Sequence, residues 1–127
     1  TTSMAIDTSG QVSVRGEGSA TTTNLQQGLA KVWAGTVSDS ASATDSFGVS
    51  SIGDTGSGDN RINFTNSFAN VGYAVVTGTG NTASSQPDRV IFVSDIEAST
   101  FRMQTMIANT GADSSIEQHI QLCGDLA

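Results

Sequence analysis

Cysteine, proline and basic residues are nearly absent from this sequence of 127 residues, which has one Cys, one Pro and five Lys or Arg. A single cysteine, Cys123, excludes an intrachain disulfide framework. The five basic residues are scattered singly against twelve acidic ones, and the net charge is −7. We expect no nucleic-acid partner, because contact with a phosphate backbone requires clustered Lys and Arg side chains.

Long apolar runs and abundant charge are also missing. No apolar segment approaches the ~20 residues that a membrane-spanning helix needs, so we expect no membrane span. Charged residues make up 13% of the chain, and Lys, Glu and Leu are too few for the heptads of a coiled coil. Apolar residues nevertheless recur along nearly the whole length, which argues against a charged disordered tail.

The sequence is instead rich in Ser and Thr, which occupy 34 positions, and in Gly, which occupies 14. Apolar and polar residues alternate in short segments, with the period of two that is typical of half-buried strands. Eight such segments lie at residues 11–15, 28–37, 46–52, 61–65, 71–79, 89–95, 100–108 and 116–123. They predict an all-β fold, an antiparallel β-sandwich or jelly-roll-like barrel of about eight short strands. The nearly continuous apolar run at residues 89–95 predicts a buried strand.

The chain divides into two parts by composition. Residues 1–27 are poor in large apolar groups, and we interpret them as an extended N-terminal arm that packs on something else, such as a neighbouring chain. Residues 28–127 form the predicted β-sandwich domain. Only residues 22–32 could hold a helical turn, with Asn24 as its N-cap, and Gly28 keeps such a helix short.

The loop at residues 54–60 contains the most suggestive catalytic pattern, the triplet DTG at residues 54–56. Retroviral-type aspartic proteases use this triplet and pair two such carboxylates across a dimer. That chemistry requires a buried strand before the Asp and a supporting apolar segment after it. The triplet is followed here by a polar, Gly-rich stretch, so we do not predict a protease.

Calcium binding and a simple turn are the other interpretations of this loop. Asp54, Asp59 and Asn60 offer oxygen atoms to a hard cation, but their spacing matches no EF-hand. A hairpin turn, with positive φ at Gly56 and Gly58 and with Asp and Asn closing the turn, explains the same residues. We favour the turn and assign no metal ligand.

His119 and Cys123 are the remaining candidates for chemistry. In a strand, His119 shares a polar face with Glu117 and Gln121 and is predicted to face solvent. A metal site on the symmetry axis of a trimer is the alternative for His119. Cys123 has no adjacent basic residue to lower its pKa, which predicts an inert, partly buried thiol. We therefore predict no catalytic, cofactor-binding or metal-binding residues and no cofactor.

The seven aromatic residues fall mostly within predicted strands, which favours a role in core packing. Trp33 and Tyr73 are the two that could instead serve as a platform on which a sugar stacks.

Five segments of the chain keep the order and spacing of a known pattern. They are GLAKVW (residues 28–33), FGVSSI (47–52), GSGD (56–59), INFT (62–65) and NVGYAVV (70–76). This set resembles a small β-rich module common in virion proteins of tailed bacteriophages, especially marine podophages and siphophages. The resemblance covers about residues 28–77.

The resemblance implies a non-enzymatic structural protein of a phage virion. Members of the family are similar to short tail-fibre or spike proteins, usually trimeric, that attach to host surface glycans. We therefore expect a homotrimer in the virion, with other virion proteins and a host surface glycan as partners. Receptor-binding loops are expected at residues 39–45, 54–60 and 80–87.

A capsid role is the alternative that the resemblance leaves open. Other members of this size decorate capsids, which implies a cement or head-fibre protein that binds the major capsid protein. Residues 1–27 would then clamp onto the capsid. No catalytic residue comes with the family.

Overall fold

The computed structural model of the chain describes residues 4–10, 12–15, 22–24, 29–37, 41–80, 88–111 and 116–127. Every regular element in these ranges is a β-strand, and every strand pairing between them is antiparallel. The strands are β1 (Met4–Ile6), β2 (Val12–Arg15), β3 (Thr22–Asn24), β4 (Ala30–Val37), β5 (Ser42–Phe47), β6 (Val49–Gly56), β7 (Asp59–Phe64), β8 (Ala74–Gly80), β9 (Arg89–Ser94), β10 (Thr100–Ile107) and β11 (Glu117–Cys123). The predicted all-β, antiparallel class is confirmed.

Two four-stranded sheets enclose the core. The front sheet has the strand order β5-β4-β11-β8, and the back sheet has the order β6-β7-β10-β9. Apolar side chains from both sheets meet in one buried cluster, which is the arrangement of a β-sandwich. The cluster consists of Val32, Ala34, Ile52, Ile62, Phe64, Phe68, Tyr73, Phe101, Met103, Ile120 and Leu122.

The alternation of apolar and polar residues in the sequence determines which face of the central strands is buried. Phe101, Met103 and Thr105 of β10 are fully buried, whereas the residues between them are partly exposed. On β11, Ile120 and Leu122 point into the same core, and the intervening residues face outward. A period of two places successive side chains on opposite faces, so these strands follow from the pattern alone.

The predicted single strand at residues 46–52 is wrong, because the chain changes sheet at Gly48. β5 ends at Phe47 in the front sheet, and β6 begins at Val49 in the back sheet. Gly48 has a φ of +73°, and a Cβ at this position would collide with the carbonyl oxygen of Lys31. Only glycine adopts this backbone without strain, so the residue makes the crossing possible.

The prediction of a buried strand at residues 89–95 is also wrong. β9 (Arg89–Ser94) is an edge strand of the back sheet, and it alternates between exposed and partly buried residues. Val90 and Phe92 are exposed, while Ile91 and Val93 pack against the core. No other layer covers the outer face of this strand among the described residues, so only one side of the apolar run is buried.

The N-terminal region forms a third, smaller sheet where it is described. β1, β2 and β3 pair in that order, and we call this sheet the N-terminal meander. We predicted an extended arm for residues 1–27, and not a sheet of three paired strands within it. The helical turn considered for residues 22–32 is contradicted at both ends, because Thr22–Asn24 and Ala30–Val37 are strands. Residues 25–28 lie outside the described residues.

Candidate functional site

The segment at residues 54–60 contains a tight hairpin turn between β6 and β7. Gly56 and Gly58 have φ values of +150° and +66°, as predicted for a turn. The Asp54 carboxylate accepts a hydrogen bond from the Gly56 amide at 2.9 Å, which closes an Asx turn. The strands run to Gly56 and resume at Asp59, so the connection is shorter than the predicted loop.

Asp59 and Asn60 are not turn residues, which corrects the sequence interpretation. The Asp59 carboxylate is buried and accepts a hydrogen bond from Arg102 Nε at 2.8 Å. The Arg102 guanidinium holds the pKa of Asp59 below its usual value, although burial opposes this shift. Asn60 is fully buried, and its Nδ2 donates to Gln118 Oε1 at 2.9 Å.

Gln118 connects the two sheets through a buried polar network. Its Nε2 donates to the Gly58 carbonyl at 2.9 Å and to Thr105 Oγ1 at 2.5 Å. Gln118 lies on the front sheet, whereas Asn60, Gly58 and Thr105 belong to the back sheet and its turn. Asn60 and Asp59 thus serve the packing of the fold.

The residues considered for protease or calcium chemistry therefore do not form one site. Asp54 closes an exposed turn, Asp59 pairs with Arg102, and Asn60 points between the sheets. Within the described ranges, no group of three or more His, Cys, Asp or Glu side chains could hold a metal ion.

His119 lies on the outer face of the front sheet and is about half exposed, as the alternation predicted. Its Nε2 is 3.6 Å from Glu117 Oε1. Glycines stand opposite it on both sides, Gly35 on β4 and Gly78 on β8. Cys123 is partly buried, as predicted.

The aromatic residues divide into a buried group and an exposed group. Phe64, Phe68, Tyr73 and Phe101 form the buried group, in which the Phe68 and Tyr73 rings stack with centroids 4.4 Å apart. The Tyr73 hydroxyl donates to the Glu97 carbonyl at 2.9 Å. Burial, with a smaller contribution from the Glu97 carboxylate, raises the pKa of Tyr73 to about 12. Tyr73 is therefore a core residue, and its candidacy as a sugar platform is wrong.

Trp33 and Phe47 are exposed, contrary to the core packing predicted for most aromatic residues. Trp33 is 39% exposed and Phe47 is 58% exposed. Phe47 pairs with Trp33, Trp33 pairs with Gln121, and Gln121 pairs with Val76. Directly paired residues share a face, so these four side chains form one row across the outer face of the front sheet. We call it the aromatic row.

A second, polar row runs beside the aromatic row. It consists of Asp45, Gly35, His119 and Gly78, which are paired in this order across the same four strands. A Cβ at Gly78 would meet nothing within 4 Å, so there is open space above the backbone at this point. The two rows together present apolar surface, hydrogen-bonding groups and a recess.

An apolar groove adjoins the aromatic row. It has a volume of about 360 Å³ and is lined by Leu29, Lys31, Phe47, Thr65 and Leu126, among others. Leu29 and Leu126 are both exposed, and Phe47 belongs to the groove and to the row. The outer face of the front sheet and this groove are the candidate site.

The predicted receptor-binding loops contribute few residues to this site. Residues 38–40 and 81–87 lie outside the described residues, and Asp45 belongs to strand β5. The exposure of Phe47 was not predicted, because the alternation places this residue in one strand with Val49. The burial of Asn60 was not predicted either. The position of Gln118 among alternating apolar residues is the signal that could have indicated a buried amide partner.

No protein-family model matches the chain, and no curated protein or solved structure matches it either. The part of the chain that the structure describes contains no helix long and apolar enough to cross a membrane.

Proposed function

We propose that this chain is a non-enzymatic structural protein of a tailed-bacteriophage virion, a trimeric protein like a fibre or spike tip that attaches to a host surface glycan. The observation that carries the proposal is the exposed aromatic row. Three of the five segments that resemble the phage module supply members of this row: Trp33, Phe47 and Val76. The resemblance and the exposed surface thus involve the same residues.

The aromatic row has the chemistry of a sugar platform. Four residues on adjacent strands extend over about 14 Å, since strands lie about 4.8 Å apart. The indole of Trp33 and the ring of Phe47 offer flat apolar surface to the apolar faces of sugar rings. Gln121 lies between the apolar members and can donate to or accept from sugar hydroxyls. Exposed apolar surface arranged in this way favours a binding role.

The charges around the row favour a neutral or amino sugar. Asp45 stands opposite Gly35 in the polar row, and Glu117 lies beside His119. The net charge of −7 also repels anionic ligands over a distance. Acidic glycans are therefore the less favoured class.

The surroundings of Asp54 and Asp59 support a non-enzymatic role. The Asp59 carboxylate accepts a hydrogen bond from Arg102, and the Asp54 carboxylate closes the turn. Glycosidases need two carboxyl groups that flank one scissile bond, and these two residues serve separate structural contacts.

Glycan binding is tested with Trp33→Ala on an array of bacterial surface glycans. We expect Trp33→Ala to weaken binding at least about tenfold, because aromatic anchors dominate such surfaces. Phe92→Ala is the matched control, since Phe92 is 51% exposed on the opposite sheet and should bind normally. Equal binding by the wild type and both variants would exclude the row as the receptor site.

A blocking variant separates binding from folding. Gly78→Val adds a side chain into the open space beside the row, and Val suits a strand better than Gly. We expect unchanged or slightly higher stability together with loss of glycan binding. Retained binding would show that the recess is not used.

The virion location is tested by labelling purified particles with an antibody against the chain. Labelling at the tail tip supports the attachment role. Absence of the chain from washed particles would contradict the proposal.

A capsid-decorating role is the second candidate, because one face of the N-terminal meander is apolar and exposed. Met4 and Ile6 on β1 are exposed, and such a surface suits a clamp on the major capsid protein. Labelling distributed over the capsid would favour this role.

A further inference from the structure

A shallow trough runs along β8 on the outer face of the front sheet. Three polar residues of β11 face two glycines and a valine of β8: Glu117 pairs with Gly80, His119 with Gly78 and Gln121 with Val76. Directly paired residues share a face, so the polar side chains form a wall and the glycines form a floor. Four residue steps of about 3.3 Å give this trough a length of about 13 Å. We call it the glycine trough.

Two glycines leave room for the His119 imidazole to lie across the sheet. A Cβ at Gly80 would collide with His119 Nε2 and would lie 3.0 Å from Glu117 Oε2. On the β4 side, a Cβ at Gly35 would lie 3.3 Å from His119 Nδ1. A Cβ at Gly78 would meet nothing within 4 Å. The floor is therefore filled at Gly80 by the wall side chains and is open at Gly78.

The wall of the glycine trough offers a different hydrogen-bonding group at each end. The Glu117 carboxylate only accepts hydrogen bonds, whereas the Gln121 amide carries two N–H donors. His119 stands between them with its side chain about half exposed. Glu117 Oε1 lies 3.6 Å from His119 Nε2, which is longer than a hydrogen bond. The trough thus has an acceptor at one end, a donor at the other and an open recess between them.

We propose that the glycine trough binds the acetamido group of an N-acetylated amino sugar in the host glycan. The inference rests on the proposed function and deepens it, because it names the class of sugar that this face recognises. A secondary amide is planar and trans, so its N–H and its carbonyl point in opposite directions. The N–H donates to Glu117, the carbonyl accepts from Gln121, and the methyl group enters the recess at Gly78. The sugar ring then lies toward Trp33, which pairs with Gln121 in the aromatic row.

Other substituents of a sugar fit the glycine trough less well. A hydroxyl group in place of the acetamido group reaches only one end of the wall and leaves the recess at Gly78 empty. A free ammonium group carries only donors, so it binds at the Glu117 end and also leaves the recess empty. The acetamido group alone uses both ends of the wall and fills the space between them.

Matched pairs of sugars test the preference for the acetamido group. The pairs are chitotriose against cellotriose and N-acetylgalactosamine against galactose, and the members of each pair differ only by acetamido groups in place of hydroxyl groups. We expect the wild type to bind the N-acetylated member of at least one pair about tenfold more tightly in calorimetric titrations, because its two amide groups are then both hydrogen-bonded. Chitotriose from which the acetyl groups have been removed should bind as weakly as cellotriose.

A substitution of one methyl group tests the recess itself. Gly78→Ala places a methyl group where the acetamido methyl is proposed to lie, in space that is open in the free protein. We expect this variant to lose the preference for the N-acetylated sugar and to bind the plain sugar as the wild type does. Gly53→Ala is the matched control, because it adds the same methyl group to the other sheet, 3.8 Å from Arg61 Cβ, and should keep the preference.

The donor at the end of the wall is tested with Gln121→Leu. Leu has nearly the volume of Gln but no N–H group, so the acetamido carbonyl loses its partner. We expect the preference to fall to about twofold or less, with thermal melts and circular dichroism close to those of the wild type. An unchanged preference in both Gln121→Leu and Gly78→Ala would overturn the proposal.

The outcomes separate this inference from the proposed function. Glycan binding that requires Trp33 but is equal for both members of every pair would overturn the acetamido site and leave the proposed function standing. Tighter binding of the deacetylated sugar would overturn the proposal in favour of a cation site at Glu117. A wild type that binds no glycan at all would contradict both the inference and the proposed function.

Discussion

At the scale of single residues, the buried Asp59 carboxylate links the stability of the fold to pH. Arg102 stabilises its charged form and lowers its pKa in the folded state below the ordinary value near 3.9. A lowered folded-state pKa means that the ion pair contributes its full stability above the unfolded-state pKa. That contribution is lost as the pH falls through the lower folded-state value.

We therefore expect Asp59→Asn to lower the free energy of unfolding by about 1–3 kcal/mol at pH 7. The difference between the wild type and the variant should shrink from about pH 4 downward, as urea unfolding at several pH values would show. Asp95→Asn is the control, because Asp95 pairs with Arg61 in an exposed position and should cost less than about 1 kcal/mol. A difference in the free energy of unfolding between the wild type and Asp59→Asn that does not change with pH would contradict the stabilising ion pair with Arg102.

Gln118 is the residue on which the buried network depends. Its replacement by Ala leaves the Asn60 amide, the Gly58 carbonyl and the Thr105 hydroxyl without this partner inside the sandwich. We expect a loss of about 2–4 kcal/mol in denaturant unfolding, because buried polar groups without partners are costly. Gln121→Ala, on the exposed face of the same strand, should change stability by less than about 0.5 kcal/mol. Similar values for the two variants would disprove the role of the network.

At the scale of elements, the crossing between the two sheets depends on Gly48. Gly48→Ala places a Cβ against the Lys31 carbonyl at positive φ, so we expect a loss of about 2 kcal/mol or more. Gly53→Ala is the matched control on the neighbouring strand. Its Cβ would lie 3.8 Å from the Arg61 Cβ, an ordinary contact, and its stability should stay the same or rise slightly. Thermal melts that rank the two variants in the opposite order would contradict this account of the crossing.

Two substitutions in the β6–β7 hairpin distinguish a structural turn from an ion site. Asp54→Asn keeps the oxygen that accepts from the Gly56 amide, so its melting temperature should stay close to that of the wild type. Gly58→Val should melt markedly lower, because Gly58 has a φ of +66°. Both proteins are melted with and without calcium. A large calcium-induced stabilisation of the wild type that vanishes in Asp54→Asn would exclude the purely structural interpretation.

At the scale of the whole molecule, the negative charge of the chain predicts how salt affects the assembly of the proposed trimer. Each copy carries a net charge of −7, so copies repel one another at low ionic strength. Salt screens this repulsion, since the Debye length falls from about 30 Å at 0.01 M to about 3 Å at 1 M. We expect self-association to strengthen over this range, as measured by sedimentation equilibrium. Weakening by salt would indicate an assembly that depends on ion pairs.

The strand pattern of this protein is present in its local sequence. Alternation over residues 100–108 and 116–123 predicted which side chains of β10 and β11 are buried, because the period of a strand is a property of the backbone. The positive φ at Gly56 and Gly58 followed from turn chemistry in the same way. The position of His119 on a polar outer face also required only the alternation. These features depend on residues close together in the chain.

The tertiary structure decided the features that depend on distant partners. Asp59 is a turn-forming residue by its neighbours, and only the approach of Arg102 from β10 makes it a buried ion-paired carboxylate. The sequence does not specify that β5 and β6 belong to different sheets, and this crossing leaves Phe47 beside Trp33 on the outer face. The candidate site is a set of residues from four strands joined by sheet register. Register is set by long-range pairing, so the row could be recognised only after the sheets were assembled.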